Sequence, residues 1–403
     1  MNIAIFTDLY LEVAGGIPSS IRAQKEELKK RGHEVTVFCP GKSCEDEDVI
    51  LVPTSWLKVS GAPMGRSPEK IEKFVLEQFP MFAQFDVVHV HYEAEVSIAG
   101  ARLARKFKIP LVQTMHGRED MAIQINVPYP FKTIAATLLA KAHAYYVPRK
   151  VAVKRDKSLA PTLARAKMWT LMVNQANTAD VVLTPSKHFA KKLKKYGVTK
   201  PIKVVSNGVS DKLAEKKWPV RELKPGETLN LIWNSRVSRE KRIMPFLEAL
   251  KIANIPVNLS VYGGGNQIEK TKHYLEKNSL SDKVKLYGQV PHEEIMEEMG
   301  KQHLSVTVSY GFDTQGLTLL EAEATGLPVF FCDPDMKEIV PAGGSICAKG
   351  PSAREMAREL RVLYEHPERI KEMSQVMMKH RTEVLQSTQI ERLIKVYEDV
   401  LED

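Results

Sequence analysis

The stretch FDTQGLTLLEAEATGLPVFF, residues 312–331, places one carboxylate, Asp313, eight positions before another, Glu321. An apolar run at 304–310 precedes it and a second apolar run begins at residue 327, so a strand is predicted on each side. The residues between Gly316 and Gly326 are predicted to form a helix. Its N-terminus would present free backbone N–H groups and the positive end of the helix dipole, which suit an anion such as a diphosphate.

The two carboxylates lie at different places in this predicted strand, turn and helix. Glu321 lies inside the helix, where its carboxylate could accept two hydrogen bonds from a ribose diol. Asp313 lies in the loop before the helix, near the place that a second sugar would occupy. An N-cap on the helix explains Asp313 equally well, and the residues alone leave both interpretations open.

Short β-branched runs alternate with helical patterns along the chain, which is typical of parallel sheets wound by helices. The pattern is interrupted by one stretch that has two prolines and no steady period. We therefore predict an α/β fold with two Rossmann-like, doubly wound domains that face a central cleft. The N-terminal domain is expected at 1–210, the linker at 211–229 and the C-terminal domain at 230–385. In such sheets, ligands bind beyond the carboxyl ends of the strands.

The amino-acid composition limits the classes of protein to which the chain can belong. A chain of 403 residues with 43% hydrophobic residues can form two ordinary cores. Neither a signal peptide nor a transmembrane helix is expected, because the start has no basic segment and the chain has no long uncharged apolar run. The four cysteines form no CxxC pair and have no histidine at zinc-site spacing, which predicts free thiols in a reducing cytoplasm and no metal site.

The positive charge is concentrated in the N-terminal half. Residues 1–210 hold 31 Lys and Arg against 19 Asp and Glu, whereas the remainder holds 27 against 30. This asymmetry indicates an anionic partner for the first half, either a membrane surface, a nucleic acid or a phosphorylated substrate. A solvated basic surface is the alternative. Nucleic acid is disfavoured because aromatic residues are scattered rather than interleaved on a basic strand.

The segment 130–168 contains nine Lys and Arg and one acid. Its apolar residues follow helical spacing with lysines between them, which is typical of a basic amphipathic helix at a membrane interface. A helix packed on its own domain is the alternative interpretation. The apolar positions are Ile134, Leu138, Leu139, Ala142, Tyr145 and Tyr146. The acceptor or membrane residues are predicted to be Glu119, Asp120, Lys141, Arg149, Lys150, Lys154 and Arg155.

Several other polar residues and glycines follow predicted strands. Arg236 and Lys241 could neutralise a diphosphate together. The glycines of YGGGNQ, residues 262–267, resemble a phosphate-binding turn but lack the GxGxxG spacing of a dinucleotide fold. His116 is either a substrate contact, a proton relay or a structural histidine. His89 and His91 are predicted to share one face of a strand, where a structural role is favoured over metal binding.

Taken together, these residues resemble glycosyltransferase family 4, the retaining nucleotide-sugar transferases of GT-B architecture. The acidic pair with its x7 spacing, the following ATGLPV and the Arg236–Lys241 pair carry the resemblance. Within the family, DTQGLTLLEA, HGRED and MNIAIFTD are similar to bacterial diacylglycerol glucosyltransferases. The resemblance covers nearly the whole chain. It also implies that the C-terminal helix, about 386–403, packs back on the N-terminal domain.

The resemblance implies a role for each matching position. Arg236 and Lys241 would hold the donor diphosphate, and Glu321 would bind the ribose. Asp313 and His116 would contact the transferred sugar. These two residues are predicted to be catalytic, together with Arg236 and Lys241. The other implied donor-binding residues are Gly16, Gly263, Val290, Gln315, Gly316, Leu317 and Thr318. Asp313 departs from the family pattern, which usually has Glu there, and this puts the identity of the donor sugar in doubt.

The resemblance implies front-face displacement with retention, with neither a cofactor nor a metal required. The donor is expected to be UDP-glucose and the acceptor a lipid hydroxyl such as that of diacylglycerol. The protein is expected in the cytoplasm, peripherally attached to the inner face of the membrane. A soluble glycan, polyol or teichoic-type polymer is the alternative acceptor, and a non-catalytic nucleotide-sugar-binding protein is a further alternative. The sequence predicts no oligomeric state.

Overall fold

The computed structural model describes residues 1–11, 15–59 and 62–402, and it divides into two compact units. The first unit comprises Met1–Asn207 and the C-terminal helix from Gln389 onward. The second unit comprises Gly208–Thr388. Both units are α/β structures built on a parallel sheet, as the alternating sequence pattern predicts.

The first unit holds a sheet of seven parallel strands in the order β3-β2-β1-β6-β7-β8-β9, with a separate antiparallel hairpin β4-β5. Most of its strands are short apolar runs that are buried along their length, as expected for a sheet covered on both faces. The strands are β1 Asn2–Phe6, β2 Glu34–Pro40, β3 Val49–Val52, β4 Thr54–Val59, β5 Ala62–Gly65, β6 Val87–Val90, β7 Leu111–Thr114, β8 Val181–Thr184 and β9 Ile202–Val204.

Helices cover both faces of this first sheet. Phe6, Phe38 and Trp169 pack in the core on one face, and Ile3, Ile21 and Val37 pack on the other. The helices are α1 Gly16–Lys30, α2 Pro68–Gln78, α3 Glu95–Phe107, α4 Glu119–Asn126, α5 Lys132–Tyr146, α6 Leu163–Ala176 and α7 Lys187–Tyr196. No helix among the described residues is long and apolar enough to cross a membrane.

The second unit holds a sheet of six parallel strands in the order β12-β11-β10-β13-β14-β15. Its strands are β10 Leu229–Asn234, β11 Val257–Tyr262, β12 Val284–Gly288, β13 Leu304–Thr307, β14 Val329–Phe331 and β15 Ser345–Cys347. Its helices are α8 Lys212–Glu215, α9 Ile243–Ala253, α10 Ile268–Lys277, α11 His292–Met299, α12 Leu317–Ala324, α13 Ala353–Glu365 and α14 Glu368–His380.

The final helix, α15 Gln386–Glu402, packs on the first unit from Gln389 onward. Ile390, Leu393 and Tyr397 of this helix are buried against residues of β1 and β2. The apolar spacing of the helix explains this packing, because these side chains fall on one face.

The prediction of an interdomain linker at 211–229 is wrong in one respect, because these residues belong to the second unit. Trp218 and Leu223 are buried in the cores of that unit. Arg221 is 3% exposed and donates to the carbonyl oxygens of Met299 and Thr325. The segment has no steady period because its buried residues are fixed by these individual contacts rather than by a long helix or strand.

Candidate functional site

The loop between β13 and α12 forms the predicted turn onto a helix N-terminus. Gly311 and Gly316 have φ angles of 64° and 81°, a region that a side chain disfavours. Gly316, which has no side chain with which to cap a helix, is the N-cap residue of α12. The N-cap interpretation of Asp313 is therefore wrong. The N–H groups of the first helical turn, at Leu317 and Thr318, begin a positive dipole end that suits an anion.

Asp313 is held by a lysine from another loop of the same unit. Lys241 Nζ donates to Asp313 Oδ1 over 2.7 Å, and the Ser309 hydroxyl donates to Asp313 Oδ2. The two charged side chains are largely buried, with 16% and 11% of their surfaces exposed. Burial alone would raise the pKa of Asp313, but the charge and hydrogen bond of Lys241, with the hydroxyl of Ser309 and the charge of Arg236, hold that pKa below its ordinary value of 3.8.

Arg236 lies after β10 and extends toward solvent. Its side chain is 64% exposed, and its Nη2 lies 3.1 Å from Glu240 Oε1. Glu240 is itself held by the Ser238 hydroxyl over 2.5 Å. Arg236 is close enough to Asp313 to lower the pKa of that carboxyl. Arg236 and Lys241 therefore both lie near Asp313 in the second unit, with Glu240 as a further carboxylate beside Arg236.

Glu321 is fixed by two neighbours. Its Oε2 accepts from Asn234 Nδ2 over 3.1 Å, and its Oε1 lies 2.8 Å from His292 Nε2. The Glu321 side chain is 14% exposed. The hydrogen bond that His292 donates to Glu321 raises the pKa of His292 above its usual value. The carboxylate is thus placed one to two turns from the N-terminus of α12 and points to the edge where β10 ends.

The glycine-rich turn after β11 passes very close to the chain that follows β10. A Cβ on Gly263 would lie 2.3 Å from the Ser235 carbonyl oxygen, and a Cβ on Gly265 would lie 2.2 Å from that of Val237. Both glycines also have positive φ angles. The glycines are therefore required by this close crossing. The turn positions the Arg236 loop, and a phosphate-binding role for Gly263 stays a prediction.

The remaining residues that are predicted to bind the donor differ in how far they are exposed. Gln315 is 3% exposed, so its side chain lies inside the second unit. Thr318 Oγ1 lies 3.3 Å from Thr307 Oγ1 and ties the start of α12 to the end of β13. Val290 is half-buried and packs at the edge of the core just before α11. In the first unit, Gly16 begins α1 and Gly15 is the N-cap residue.

His116, His91 and His89 form one buried chain of imidazoles in the first unit. His91 Nδ1 lies 2.8 Å from His116 Nε2, and His91 Nε2 lies 3.2 Å from His89 Nδ1. His89 also contacts Tyr397 Oη and Thr114 Oγ1, over 2.7 and 2.6 Å. Burial lowers the pKa of His89 to about 3 and that of His116 to about 4, so both are neutral at physiological pH. These bonds support the structural interpretation of His89 and His91.

No group of His, Cys, Asp and Glu within the described ranges has the arrangement of a metal site. The four cysteines carry free thiols, two of them buried and two half-buried.

Glu119 and Asp120 begin α4 but have different surroundings. Asp120 is fully buried and accepts from Arg118 Nε over 2.7 Å and from Arg165 Nε over 2.8 Å. Its prediction as an acceptor or membrane contact is wrong, because this ion-paired carboxylate presents no surface. Glu119 accepts from the Tyr92 hydroxyl over 2.9 Å, and burial raises the pKa of Glu119 to about 6.

The predicted basic amphipathic segment forms α5, whose large apolar side chains face outward. Ala136 and His143 face the first unit and are buried. The side chains on the opposite side are exposed by between 46% and 62% at Ile134, Leu138 and Leu139 and by 79% at Tyr145. The basic residues Lys141, Arg149, Lys150, Lys154 and Arg155 are also exposed. We call this surface the α5 face, consisting of the exposed residues of 131–155.

Three residues that hold the acidic pair were missed by the sequence reasoning: Asn234, His292 and Ser309. Asn234 is the last residue of β10, and Ser309 follows β13 closely, so both lie at the carboxyl edge where ligands bind in such sheets. This position is the signal that could have indicated them. His292 is the first residue of α11, and its bond to Glu321 spans 29 positions of sequence. No local pattern indicates that contact.

Two family models match adjoining parts of the chain. Residues 14–213 match the family described as Glycosyltransferase Family 4, and residues 214–380 match Glycosyl transferases group 1. Curated relatives include the alpha-monoglucosyldiacylglycerol synthases of Streptococcus pneumoniae and Acholeplasma laidlawii, each 25% identical. The matches cover 82% of this chain, with 70% of the first relative and 79% of the second.

Solved structures share the fold at low identity. Anabaena HepE in complex with UDP has a TM-score of 0.71 at 14% identity, with 99% of this chain and 100% of that chain covered. Sucrose-phosphate synthase from Thermosynechococcus elongatus has a TM-score of 0.70 at 16% identity, with 100% and 99% covered. The two family matches and this fold agree with the resemblance carried by the acidic pair and the Arg236–Lys241 pair. The chain is a member of glycosyltransferase family 4 and has the GT-B fold.

Proposed function

We propose that this protein transfers a hexose from a UDP-sugar, with UDP-glucose as the first choice, to a lipid hydroxyl such as that of diacylglycerol, with retention of configuration. The observation that supports a nucleotide-sugar donor is the Lys241–Asp313 pair, joined over 2.7 Å, with Asp313 in the loop that leads to the N-terminus of α12. A cation, a carboxylate and a helix N-terminus together match the parts of a nucleotide-sugar: a diphosphate and a sugar with hydroxyl groups.

In this proposal, different residues of the second unit bind different parts of the nucleotide-sugar donor. Lys241, Arg236 and the first N–H groups of α12 bind the diphosphate, and Glu321 binds the ribose. Asp313 accepts hydrogen bonds from hydroxyls of the sugar. It can do so while it is bonded to Lys241, because an ionised carboxylate has about four acceptor positions.

The reaction breaks the bond between the anomeric carbon and the diphosphate oxygen. The acceptor oxygen forms the new bond on the same face of the sugar, and its proton passes to an oxygen of the departing diphosphate. Lys241 and Arg236 neutralise the negative charge that develops on the leaving group, which is usually the largest contribution to such catalysis. The proposal thus assigns charge neutralisation to side chains of the chain and requires no metal.

Two observations support the lipid acceptor. The curated relatives are alpha-monoglucosyldiacylglycerol synthases, and their matches extend over most of this chain. The α5 face combines exposed large apolar side chains with exposed lysines and arginines. Such a surface suits the interface of an anionic membrane, where apolar side chains enter the acyl boundary and basic ones meet lipid headgroups. We propose on this basis that the protein works peripherally, on the cytoplasmic face of the membrane.

The test is transfer of labelled glucose from UDP-glucose into the organic phase, with diacylglycerol in anionic liposomes, in neutral liposomes or in detergent. The proposal predicts transfer that is strongest on anionic liposomes. Binding or slow hydrolysis of UDP-glucose without lipid product would contradict the acceptor and favour a soluble glycan, polyol or teichoic-type polymer. Tight UDP-sugar binding without hydrolysis or transfer to any of these acceptors would favour a non-catalytic binding protein.

A further inference from the structure

Both oxygens of the Glu321 carboxylate are already engaged by the protein. Oε1 lies 2.8 Å from His292 Nε2 and Oε2 accepts from Asn234 Nδ2 over 3.1 Å. The two partners come from different elements, since Asn234 ends β10 and His292 begins α11. The plane and direction of the carboxylate are therefore fixed from two sides.

The number of remaining acceptor positions matches a ribose diol. An ionised carboxylate has about two lone-pair positions on each oxygen. One position on each oxygen is used by His292 and Asn234, so one on each oxygen remains. Two acceptors held side by side in this way fit the two adjacent hydroxyls of a ribose, each of which donates one hydrogen bond.

The two residues that hold Glu321, Asn234 and His292, differ in how they can respond to a ligand. Asn234 is 9% exposed and does not titrate. His292 is 57% exposed and lies two residues after Val290, which the family resemblance implies as a donor-binding residue. Of the two residues that hold Glu321, His292 is therefore the one at the solvent edge of the proposed nucleoside site. It is also the one whose charge can change.

We propose that His292 is a positioning residue for the nucleotide, whose imidazole N–H fixes the Glu321 carboxylate so that its two remaining acceptors meet the ribose 2′ and 3′ hydroxyls. The inference rests on the proposed function, because it assigns the ribose to Glu321. His292 acts through Glu321 and need not touch the donor itself.

The charge of His292 adds a pH dependence to this role. The charged groups that face it are Glu321 from α12 and Glu293 from its own helix, and both favour the imidazolium. A bound diphosphate adds further negative charge to the same unit and favours the imidazolium more. By linkage, UDP-glucose binds more tightly when His292 is protonated, so its affinity falls as pH rises through the titration of His292. Because attraction between partly exposed charges is weak in water, the change is expected to be about fivefold or less.

The experiment measures the Kd of UDP-glucose and of 2′-deoxy-UDP-glucose by calorimetry between about pH 5.5 and 8.5. UDP-glucose is the suitable ligand because both of its phosphates are esterified and stay ionised over this range. The proteins are the wild type, His292→Ala and His292→Gln. The matched control is His366→Ala, which removes another exposed histidine of the second unit, one that lies 3.4 Å from Glu368.

We expect His292→Ala to weaken UDP-glucose binding about tenfold and to reduce the preference for UDP-glucose over its 2′-deoxy analogue. His292→Gln keeps an N–H donor that does not titrate, so it should restore most of the affinity and remove the pH dependence. His366→Ala should behave as the wild type. Circular dichroism and the melting temperature establish that each variant is folded.

An equal loss of affinity for both ligands in His292→Ala would overturn the proposal, because the effect would then not pass through the diol. Unchanged affinity would overturn it as well. If the folded wild type binds the deoxy analogue as tightly as UDP-glucose, the assignment of the ribose to Glu321 fails, and this inference fails with it. If the folded wild type binds neither ligand, the donor site of the proposed function itself is wrong.

Discussion

Lys241 Nζ donates to Asp313 Oδ1 over 2.7 Å, although the two residues are 72 positions apart. The cation assigned to the donor diphosphate and the acid assigned to the donor sugar are therefore bonded to each other. This bond also bears on the presence of Asp where the family usually has Glu. The shorter side chain is held in place by Lys241 and Ser309 and is kept ionised. Although Asp313 is one methylene shorter than Glu, its carboxylate therefore still has hydrogen-bond partners.

Replacing Lys241 with Ala should lower kcat by about 100-fold or more, because positive charge preorganised near the leaving group is lost. KM for UDP-glucose should change less than kcat, since the charge on the diphosphate increases in the transition state. The measurement is the steady-state rate of transfer. Lys272→Ala, which removes a lysine 53% exposed on α10, is the control. An unchanged kcat for Lys241→Ala would remove this residue from the reaction.

Replacing Glu321 with Ala should abolish most donor binding while leaving the fold intact. Two hydrogen bonds from a ribose to a charged acceptor are lost, so we expect affinity for UDP to fall by about 10- to 100-fold. Calorimetric titration with UDP measures this change. Glu269→Ala removes a carboxylate whose side chain is 84% exposed in the same unit and serves as the control. Wild-type affinity in Glu321→Ala would contradict the donor-site assignment.

Glu323, on the buried side of α12, should make stability depend on pH. It is 3% exposed, and burial, with a smaller effect of Glu383, raises the pKa of Glu323 to about 8. A carboxyl whose folded pKa is raised stabilises the fold fully below its unfolded pKa and loses that contribution as pH rises through the folded value. The neutral variant Glu323→Gln should therefore gain stability over the wild type between pH 5 and 8.5.

The size of this gain should be several degrees in melting temperature at the upper end of the range, since one pKa unit corresponds to about 1.4 kcal/mol. Differential scanning calorimetry at a series of pH values measures it. Glu365→Gln, a change at the exposed last residue of α13, should show no comparable trend. A difference between Glu323→Gln and wild type that is constant with pH would mean that Glu323 stays in one protonation state.

The α5 face should control binding to lipid. Ile134 and Leu138 are each about 60% exposed, at 59% and 62%. Placing Glu at both positions removes apolar contact and adds charge that an anionic surface repels, so liposome binding should fall by at least about tenfold. Sedimentation with anionic vesicles measures it at low salt and at about 0.5 M salt, where electrostatic attraction is screened.

The control for the α5 variant is Met81→Glu, because Met81 is 70% exposed in the first unit and lies outside the basic segment. It should bind vesicles as the wild type does. Transfer to a detergent-dispersed acceptor should survive the α5 substitutions, since the donor residues are untouched. Wild-type vesicle binding by the Ile134→Glu, Leu138→Glu protein would contradict membrane docking through α5.

The sequence predicted the fold well where short apolar runs fill both faces of a parallel sheet. The apolar run at 304–310 contains β13, and the run that begins at residue 327 contains β14. The sequence did not predict β3, β15 or the hairpin β4-β5. β3 and β15 are short strands, each at an edge of its sheet, so their sequences carry little periodic signal. The hairpin β4-β5 lies outside both sheets and lacks the apolar runs of the buried strands.

The candidate site was predictable where its residues follow strands and turns in sequence. Asp313 and Glu321 belong to one turn and helix, and Arg236 and Lys241 belong to one loop. The pairing of Lys241 with Asp313 and of His292 with Glu321 depends on how strands are ordered in the sheet, which a single sequence does not specify. The linker was misassigned for a similar reason. Buried residues such as Trp218 are held by individual tertiary contacts that leave no regular spacing.

The most direct test of the central claim, retaining transfer to a lipid hydroxyl, is the anomeric configuration of the lipid product. UDP-α-glucose and diacylglycerol in anionic liposomes would be incubated with the full chain, and the extracted glycolipid would be examined by proton NMR. The account predicts an α-linked glucosyl lipid that is absent when Glu321→Ala replaces the wild type. A β-linked product, or no glycolipid from a folded protein that binds UDP-glucose, would contradict it.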